Sequence, residues 1–377
     1  MRIGIDARFY GSIGKGLGRY TERLITYLEK IARHEFVIFL RKENYDEYQP
    51  SAKNFTKQLA DFQWYTFEEQ RKFPALLRAN HLDLIHYPHF NVPFFSPKPF
   101  VVTIHDLILT HFPTRRATTL GPIKYWFKQL AYRMVLSRAV QKAERILTVS
   151  NFTQKDIQKY FGYDPRKIVV AYEAVDGFPQ TQVPDDEILR KYYIQKPYLL
   201  YVGNAYPHKN LEKLIEFFKA LPPNYRNLKM VIVCKPDYFL NNLVSQLKAS
   251  GLENRFIFTG FVPDAELGAL YQHAHAFIFP SLYEGFGLPP LEALALGVPV
   301  LSSNKASLPE VLGGAVTYFD PLDVNGMIEA LLTLDRDQNY RQIMIAKGLT
   351  QVKKYNWLEM AKTTLATYEA VVKAQKI

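Results

Sequence analysis

Short runs of apolar and β-branched residues recur along the chain, separated by stretches whose apolar positions return every three or four residues. The runs Arg2–Asp6, Phe36–Leu40, Asp83–His86, Phe100–His105, Ile146–Val149 and Ile168–Ala171 suit strands buried on both faces of a parallel sheet. Between them Arg19–Ala32, about 119–143 and Phe152–Phe161 carry helical spacing, the last behind the cap-like pair Ser150–Asn151. This alternation predicts a doubly wound α/β domain over 1–172. Residues 173–190 open with EAVDGFPQTQVPDD, which has Pro and Gly but no apolar period, and read as a linker. A second series follows over 191–357, with strands at Tyr198–Val202, Met230–Cys234, Phe256–Thr259, Ala276–Phe279, Val298–Leu301 and Val316–Phe319. Its helical patterns begin near Asn210, Asp237, Asp264 and Pro290, and the tail, about 337–375, is almost wholly helical in pattern. Two Rossmann-like, doubly wound domains facing each other across a cleft are therefore expected, with ligands beyond the carboxyl ends of the strands.

Composition changes this picture at three points. The N-terminus goes straight into MRIGIDARFYG and no apolar run is long enough to span a membrane, so neither a leader nor a spanning helix is expected. The single cysteine, Cys234, sits in an apolar run as a small core residue, which excludes a disulfide framework and a Cys-based zinc site. Together these predict a cytoplasmic protein. Third, the net charge of +11 belongs to one half: residues 1–175 hold 27 Lys and Arg against 16 Asp and Glu, while residues 176–377 hold 20 of each. Within 113–145 lie Arg115, Arg116, Lys124, Lys128, Arg133, Arg138, Lys142 and Arg145, interleaved with Tyr125, Trp126, Phe127 and Tyr132. Such a segment suits either an anionic lipid surface or nucleic acid, or else a solvated helix whose aromatics pack inward.

Four segments fall where strands end. YGSIGKGLGRY (10–20) has Gly11, Gly14, Gly16 and Gly18 to let a ligand approach the backbone, but not the G-x-G-x-x-G spacing of a dinucleotide site. In VVTIHDLIL (101–109), His105 and Asp106 interrupt an apolar run; a histidine there can titrate near neutrality or donate to a sugar hydroxyl, or the pair can serve a turn and a cap. His86 and His89 in LIHYPHFNVPF suit the same end of the sheet, without the spacing of a zinc site. In YVGNAYPHKNL (201–211), Lys209 before a helix start opposes the helix dipole unless it meets an anion such as a diphosphate.

The fourth segment, PSLYEGFGLPPLEALALG (280–297), carries two acids in an otherwise apolar strand-loop-helix pattern. Pro289–Pro290 suit a first helical turn, which would place Glu292 in that turn as a dipole-favoured acid. Glu284 lies in the loop and has no such local reason. Gly285 and Gly287, around Phe286, open backbone N–H groups to an anion, and two flanking carboxylates suit neutral hydroxyls. An anionic middle with a polyol at each end describes a nucleotide sugar.

Taken in order, GKGLGRY, TIHDL, GNAYPHKNL, TGFVPDAELGALY, FPSLYEGFG and the E-x7-E spacing of EGFGLPPLE (284–292) resemble the retaining glycosyltransferases of family 4, of the two-domain GT-B architecture. HYPHFNVPF and SLPEVLGG are similar to the bacterial branch, often mannosyltransferases, that builds surface polysaccharides and glycolipids. The resemblance implies an acceptor-binding first domain, a donor-binding second domain, and a C-terminal helix, about 358–377, packing back on the first. It implies that Glu284 contacts the donor hexose and Glu292 the ribose, and that Lys209 and the amides of Gly285–Gly287 neutralise the diphosphate. It further places His105 beside the transferred sugar, Gly16 over the donor phosphates, Lys235 and Val262 near the base, and Gly203 and Leu288 in the donor site. Asp106, His86 and His89 would fall on the acceptor side. Two departures stand out: Asn204 and His208 occupy positions where the family commonly has arginines, and His208 would supply charge only when protonated.

The expected activity is metal-independent, retaining transfer of a hexose, mannose favoured, from a nucleotide sugar, GDP-mannose favoured over UDP-sugars, to a glycan or polyprenyl- or lipid-linked acceptor. No cofactor and no nucleic-acid partner are expected. A peripheral position at the inner membrane face, through 113–145, goes with a lipid acceptor. The one D-x-D, Asp335–Asp337, follows helical pattern and reads as surface. Two alternatives remain: a sugar-nucleotide epimerase of the same architecture, and a membrane- or nucleic-acid-binding protein with an inactive cleft.

Overall fold

The computed structural model describes residues 1–113 and 122–375, and the side chains of Lys15, Pro122–Tyr125, Phe127 and Lys128 are not among those described. Of the basic segment, Arg115 and Arg116 therefore lie outside the described residues. Two compact units are present. The first is built on Met1–Thr110, residues 122–173 and the C-terminal helix; the second is built on residues 111–113 and Ala174–Tyr355.

The first unit contains β1 (Arg2–Asp6), α1 (Lys15–Ile31), β2 (Glu35–Leu40), β3 (Phe55–Leu59), α2 (Phe67–Ala79), β4 (Leu84–Tyr87) and β5 (Phe100–Ile104). It continues with α3 (Ile108–His111), α4 (Pro122–Lys142), β6 (Arg145–Thr148), α5 (Asn151–Phe161) and β7 (Ile168–Val170). The sheet is parallel throughout, in the order β3-β2-β1-β4-β5-β6-β7. The central strands bury both faces, as their unbroken apolar runs require: Ile3, Ile5, Phe39, Val102, Ile104 and Ile146 are all essentially inaccessible. Each such side chain is worth about 2 kcal/mol of apolar burial.

The second unit contains α6 (Asp185–Lys191), β8 (Tyr198–Val202), α7 (Glu212–Ala220), β9 (Lys229–Val233), α8 (Tyr238–Ser250), β10 (Phe256–Phe258), α9 (Asp264–Gln272) and β11 (Ala276–Phe279). Then follow α10 (Leu288–Ala295), β12 (Val300–Ser303), α11 (Leu308–Leu312), β13 (Thr317–Phe319), α12 (Val324–Arg336) and α13 (Gln338–Val352). Its sheet is also parallel, in the order β10-β9-β8-β11-β12-β13. The last helix, α14 (Trp357–Gln375), belongs to the first unit, where it packs on α1 and joins Glu369 to His34 at 2.9 Å.

Three expectations change. The predicted linker 173–190 is not a loose tether, since α6 docks on α9 through Lys191–Glu266 at 2.7 Å, Tyr192–Glu266 at 2.6 Å and His273–Asp185 at 2.9 Å. Asp335 is not a surface residue: it is half-buried and accepts from His275 at 2.7 Å and Tyr225 at 2.7 Å, while Asp337 caps α13. Third, β3 is an edge strand missing from the apolar pattern.

Candidate active site

Doubly wound sheets open a crevice where the strand order reverses. In the second unit that point lies between β8 and β11. The two segments that leave those strands carry Lys209 and Glu284, and the fold brings them together: Lys209 Nζ donates to Glu284 Oε1 at 2.7 Å, with the side chains 12% and 9% exposed. Lys209 ends a one-turn 3-10 segment, Pro207–Lys209, three residues before the first residue of α7, Glu212. Asn210, in the left-handed conformation with φ 58°, locks that turn by donating to Pro280 O at 3.2 Å and Pro321 O at 2.8 Å. The Glu284 loop is fixed from the other side, where the buried Ser307 hydroxyl reaches Glu284 O at 2.9 Å and Phe286 O at 3.1 Å. Sequence reasoning missed Asn210 and Ser307, because neither makes chemistry legible in its own segment.

Gly287 is a glycine for two reasons: its φ is 101°, and a Cβ there would sit 2.7 Å from Leu308 Cδ2. It precedes Leu288, where α10 starts. Glu292 therefore falls in the second turn, and the dipole reason for it weakens. It is buried and takes the Tyr271 hydroxyl on Oε2 at 3.0 Å. Pro289 and Pro290 have no N–H, so an anion cradle here rests on the amides of Gly285–Leu288 rather than on the helix turn. The Phe286 ring turns inward against Tyr355, at 5.3 Å between centroids, leaving only its backbone for a ligand.

Around this pair, Gly203 follows β8 and Asn204 is exposed, its Oδ1 accepting from Tyr206 N at 3.3 Å. His208 brings no charge: it is buried, and burial with the charge of Lys209 depresses its pKa to about 4. The exposed Lys235 ammonium lies 4.6 Å over the ring of Phe261, which is 62% exposed, whereas the neighbouring Val262 side chain is buried and presents only backbone.

In the first unit the glycine-rich segment is more structural than expected. Helix α1 starts at Lys15, so Gly16 and Gly18 lie in its first turn, and a Cβ on Gly18 would meet Gly11 O at 2.0 Å. Gly16 alone of these is exposed, with nothing near the position of a Cβ. Ser12 ties the loop to Glu47 through its amide at 3.1 Å and its hydroxyl at 2.8 Å.

At the end of β5, His105 is partly exposed but has both ring nitrogens engaged. Its Nδ1 faces Glu173 Oε1 at 3.1 Å, its Nε2 faces Pro88 O at 2.9 Å, and its carbonyl accepts from Thr153 Oγ1 at 3.2 Å. Tyr20 packs edge-on against the ring at 4.6 Å. It is thus not an unengaged donor awaiting a sugar hydroxyl. Burial alone would push its pKa down, but the hydrogen bond and charge of Glu173, with Pro88 O and Asp106, raise it above the ordinary imidazole value. Glu173 was missed because its stretch read as linker. Asp106 caps the following turn, its Oδ1 accepting from Ile108 N at 2.9 Å.

His86 is corrected outright. It is fully buried between Thr103 Oγ1 at 2.8 Å and the Tyr368 hydroxyl of α14 at 2.6 Å, so it has no surface for an acceptor. Burial and the charge of His105 push its pKa to about 3. His89 is also held neutral, at about 3 for the same two reasons, and is half-buried against Phe9 and Phe90. Among the described residues no group of His, Cys, Asp and Glu is disposed to hold a metal ion.

Two parallel α/β units carry this site, with the lysine–glutamate pair at the strand reversal of the second, and the chain belongs to glycosyltransferase family 4. The family model "Glycosyltransferase Family 4" matches residues 14–176 and the model "Glycosyl transferases group 1" matches residues 185–351. The O-antigen chain mannosyltransferase B of Escherichia coli is 30% identical over 373 residues, 94% of this chain and 96% of that one. The O-antigen chain mannosyltransferase RfbU of Salmonella typhimurium is 26% identical, over 86% of this chain and 89% of that one. In fold, the sucrose-phosphate synthase of Thermosynechococcus elongatus superposes with TM-score 0.74 at 18% identity, covering 99% of this chain and 100% of the other. HepE of Anabaena, in complex with UDP-glucose, gives TM-score 0.74 at 16% identity, over 98% and 99% of the two chains. The chain is a hexosyltransferase.

Proposed function

We propose that this transferase moves mannose from GDP-mannose, with retention at the anomeric carbon, to a hydroxyl of a glycan or lipid-linked acceptor in surface-polysaccharide assembly. The observation that carries the reading is the Lys209–Glu284 pair at the strand reversal, in a chain aligned almost end to end with a mannosyltransferase. When the donor binds, Glu284 accepts from hexose hydroxyls, Lys209 turns its charge to the diphosphate, and the amides of Gly285–Leu288 complete the cradle. Glu292 accepts from ribose hydroxyls. Metal-independent transfer is supported by the D-x-D carboxylates, which are engaged in His275, Tyr225 and a helix cap.

A peripheral position on an anionic membrane is supported by α4. Its Leu136, Ala139 and Val140 face the core, while Trp126, Leu130 and Met134, each four residues apart, are 60%, 40% and 52% exposed beside the exposed Arg133. Phe94, 44% exposed, lies under the Arg138 guanidinium at 3.9 Å next to the 65% exposed Phe95, and extends the apolar character. No described helix is long and apolar enough to cross a membrane.

The test is a donor panel of GDP-, UDP- and dTDP-sugars with glycan and lipid-linked acceptors, read as nucleoside diphosphate release and as the anomeric configuration of the product by NMR. The expected outcome is release with GDP-mannose and an α-linked product. A β-linked product would remove the retaining mechanism, and release only with another donor would remove mannose.

A further inference from the structure

We propose that Glu173 is a positioning residue of the transfer site: its carboxylate and the Pro88 carbonyl clamp the His105 ring with both ring nitrogens as donors, so that His105 takes part as a fixed cation and not as a proton-transfer group. The proposal rests on the glycosyl-transfer reading for its catalytic consequence, and on geometry for the clamp.

A carbonyl oxygen and a carboxylate both accept hydrogen bonds. With Glu173 Oε1 at 3.1 Å from Nδ1 and Pro88 O at 2.9 Å from Nε2, each ring nitrogen needs its own proton, which only the imidazolium supplies. The ring cannot swing away to share that charge. Tyr20 closes one side, held by Thr103 at 3.2 Å, and Thr103 in turn holds His86, which Tyr368 holds. Thr153 secures the His105 carbonyl at 3.2 Å.

The titratable groups around the ring agree in sign. Glu173 follows β7, Asp106 follows His105 itself, Tyr20 stands on α1, His86 lies on β4 and His89 just after it. The two other histidines are neutral and Tyr20 stays protonated, its pKa pushed up by burial, so the charges facing His105 are the two carboxylates.

A ring with no lone pair to offer cannot take the acceptor's proton. In the transfer, the bond from the anomeric carbon to the phosphate oxygen breaks, and its electron pair stays on the diphosphate. The acceptor oxygen then bonds to the same carbon while its proton passes to the departing diphosphate. On the transfer reading, a fixed cation can favour developing negative charge but cannot serve as the base.

The test labels the full chain with 15N-histidine and reads ring nitrogens by long-range 1H–15N correlation without substrate, His105→Gln assigning the signal. At pH 7.5 both His105 nitrogens carry protons in the wild type, and in Glu173→Gln the ring is neutral, its midpoint lower by at least about 1 unit. A wild-type His105 that is a single neutral tautomer at that pH overturns the clamp.

The kinetic arm follows kcat between pH 6 and pH 8.5. Glu173→Gln is expected to fall about tenfold behind the wild type at pH 8.5, with a deficit that shrinks several-fold toward pH 6, and Glu173→Asp, which keeps the charge, restores most of it. An equal deficit at both pH values assigns Glu173 a merely structural role and overturns the proposal. If the wild type releases nucleoside diphosphate from no donor, the transfer reading falls, while the NMR arm still decides the clamp.

Discussion

Replacing Lys209 by Met strands the Glu284 carboxylate, 9% exposed, with its cation gone. At 2.7 Å and an effective dielectric of about 20, the two charges attract by roughly 6 kcal/mol. Desolvation of both ions cancels much of this, so either Lys209→Met or Glu284→Gln alone is expected to destabilise the second unit by about 3 kcal/mol. In the double variant neither charge is stranded, and its cost falls short of the sum of the singles by about 2 kcal/mol. Hydrogen exchange followed by mass spectrometry across a urea series, on peptides spanning residues 198–303, isolates this unit's opening. Costs that add within about 0.5 kcal/mol would show that the pair is not coupled, and the reasoning from its geometry would be wrong.

Other consequences can be checked alongside. Gly287→Ala places a methyl against Leu308 at a φ of 101°, so it is expected to cost about 1–3 kcal/mol and to raise the donor KM; an unchanged melting curve and KM would contradict it. Tyr368→Phe removes the hydroxyl facing buried His86 and is expected to cost the first unit about 1–3 kcal/mol in urea unfolding, with no change in that unit's stability as the contrary result. His86 and His89 have folded-state pKa values near 3, below the ordinary imidazole value. The unfolded chain therefore takes up more protons below about pH 6.5, and their contribution, complete above that pH, is lost as pH falls toward 3 by up to about 1.4 kcal/mol per pH unit for each ring. His86→Gln should flatten that slope between pH 6.5 and 5, and a slope that persists undiminished refutes it. Serine at Trp126, Leu130 and Met134 together is expected to weaken sedimentation with anionic liposomes at least about tenfold while leaving the melting temperature unchanged; equal sedimentation would remove α4 from the membrane reading.

The parts of this fold that could be read along the chain were those whose causes are local. The inner strands β8, β9 and β11 of the second unit are apolar because both faces are covered, and a continuous apolar run says so directly. β3 escaped because an edge strand need not be apolar: FTKQL is largely half-exposed. Helix α2 escaped in part because Pro74 sits inside it, against the usual preference. Lys209 and Glu284 were each legible as charges with no local reason to be where they are. Their pairing was not legible, since it depends on β8 and β11 becoming neighbours across 75 residues. Glu173 was hidden by the opposite error, because a polar stretch with Gly and Pro resembles a linker until its partner, 68 residues earlier, is known. His86 misled for a related reason: a histidine near a strand's end suits a ligand, and only α14, arriving from the far end of the chain, turns it into core.

The most direct test of the central claim is turnover of GDP-mannose by wild type and Glu284→Ala in the presence of a lipid-linked glycan acceptor, measured as GDP release and product formation together. Transfer by the wild type with a loss of at least about a hundredfold in Glu284→Ala is the predicted result. Equal turnover by the two proteins, or no transfer by the wild type from any nucleotide sugar, would contradict the assignment of this site.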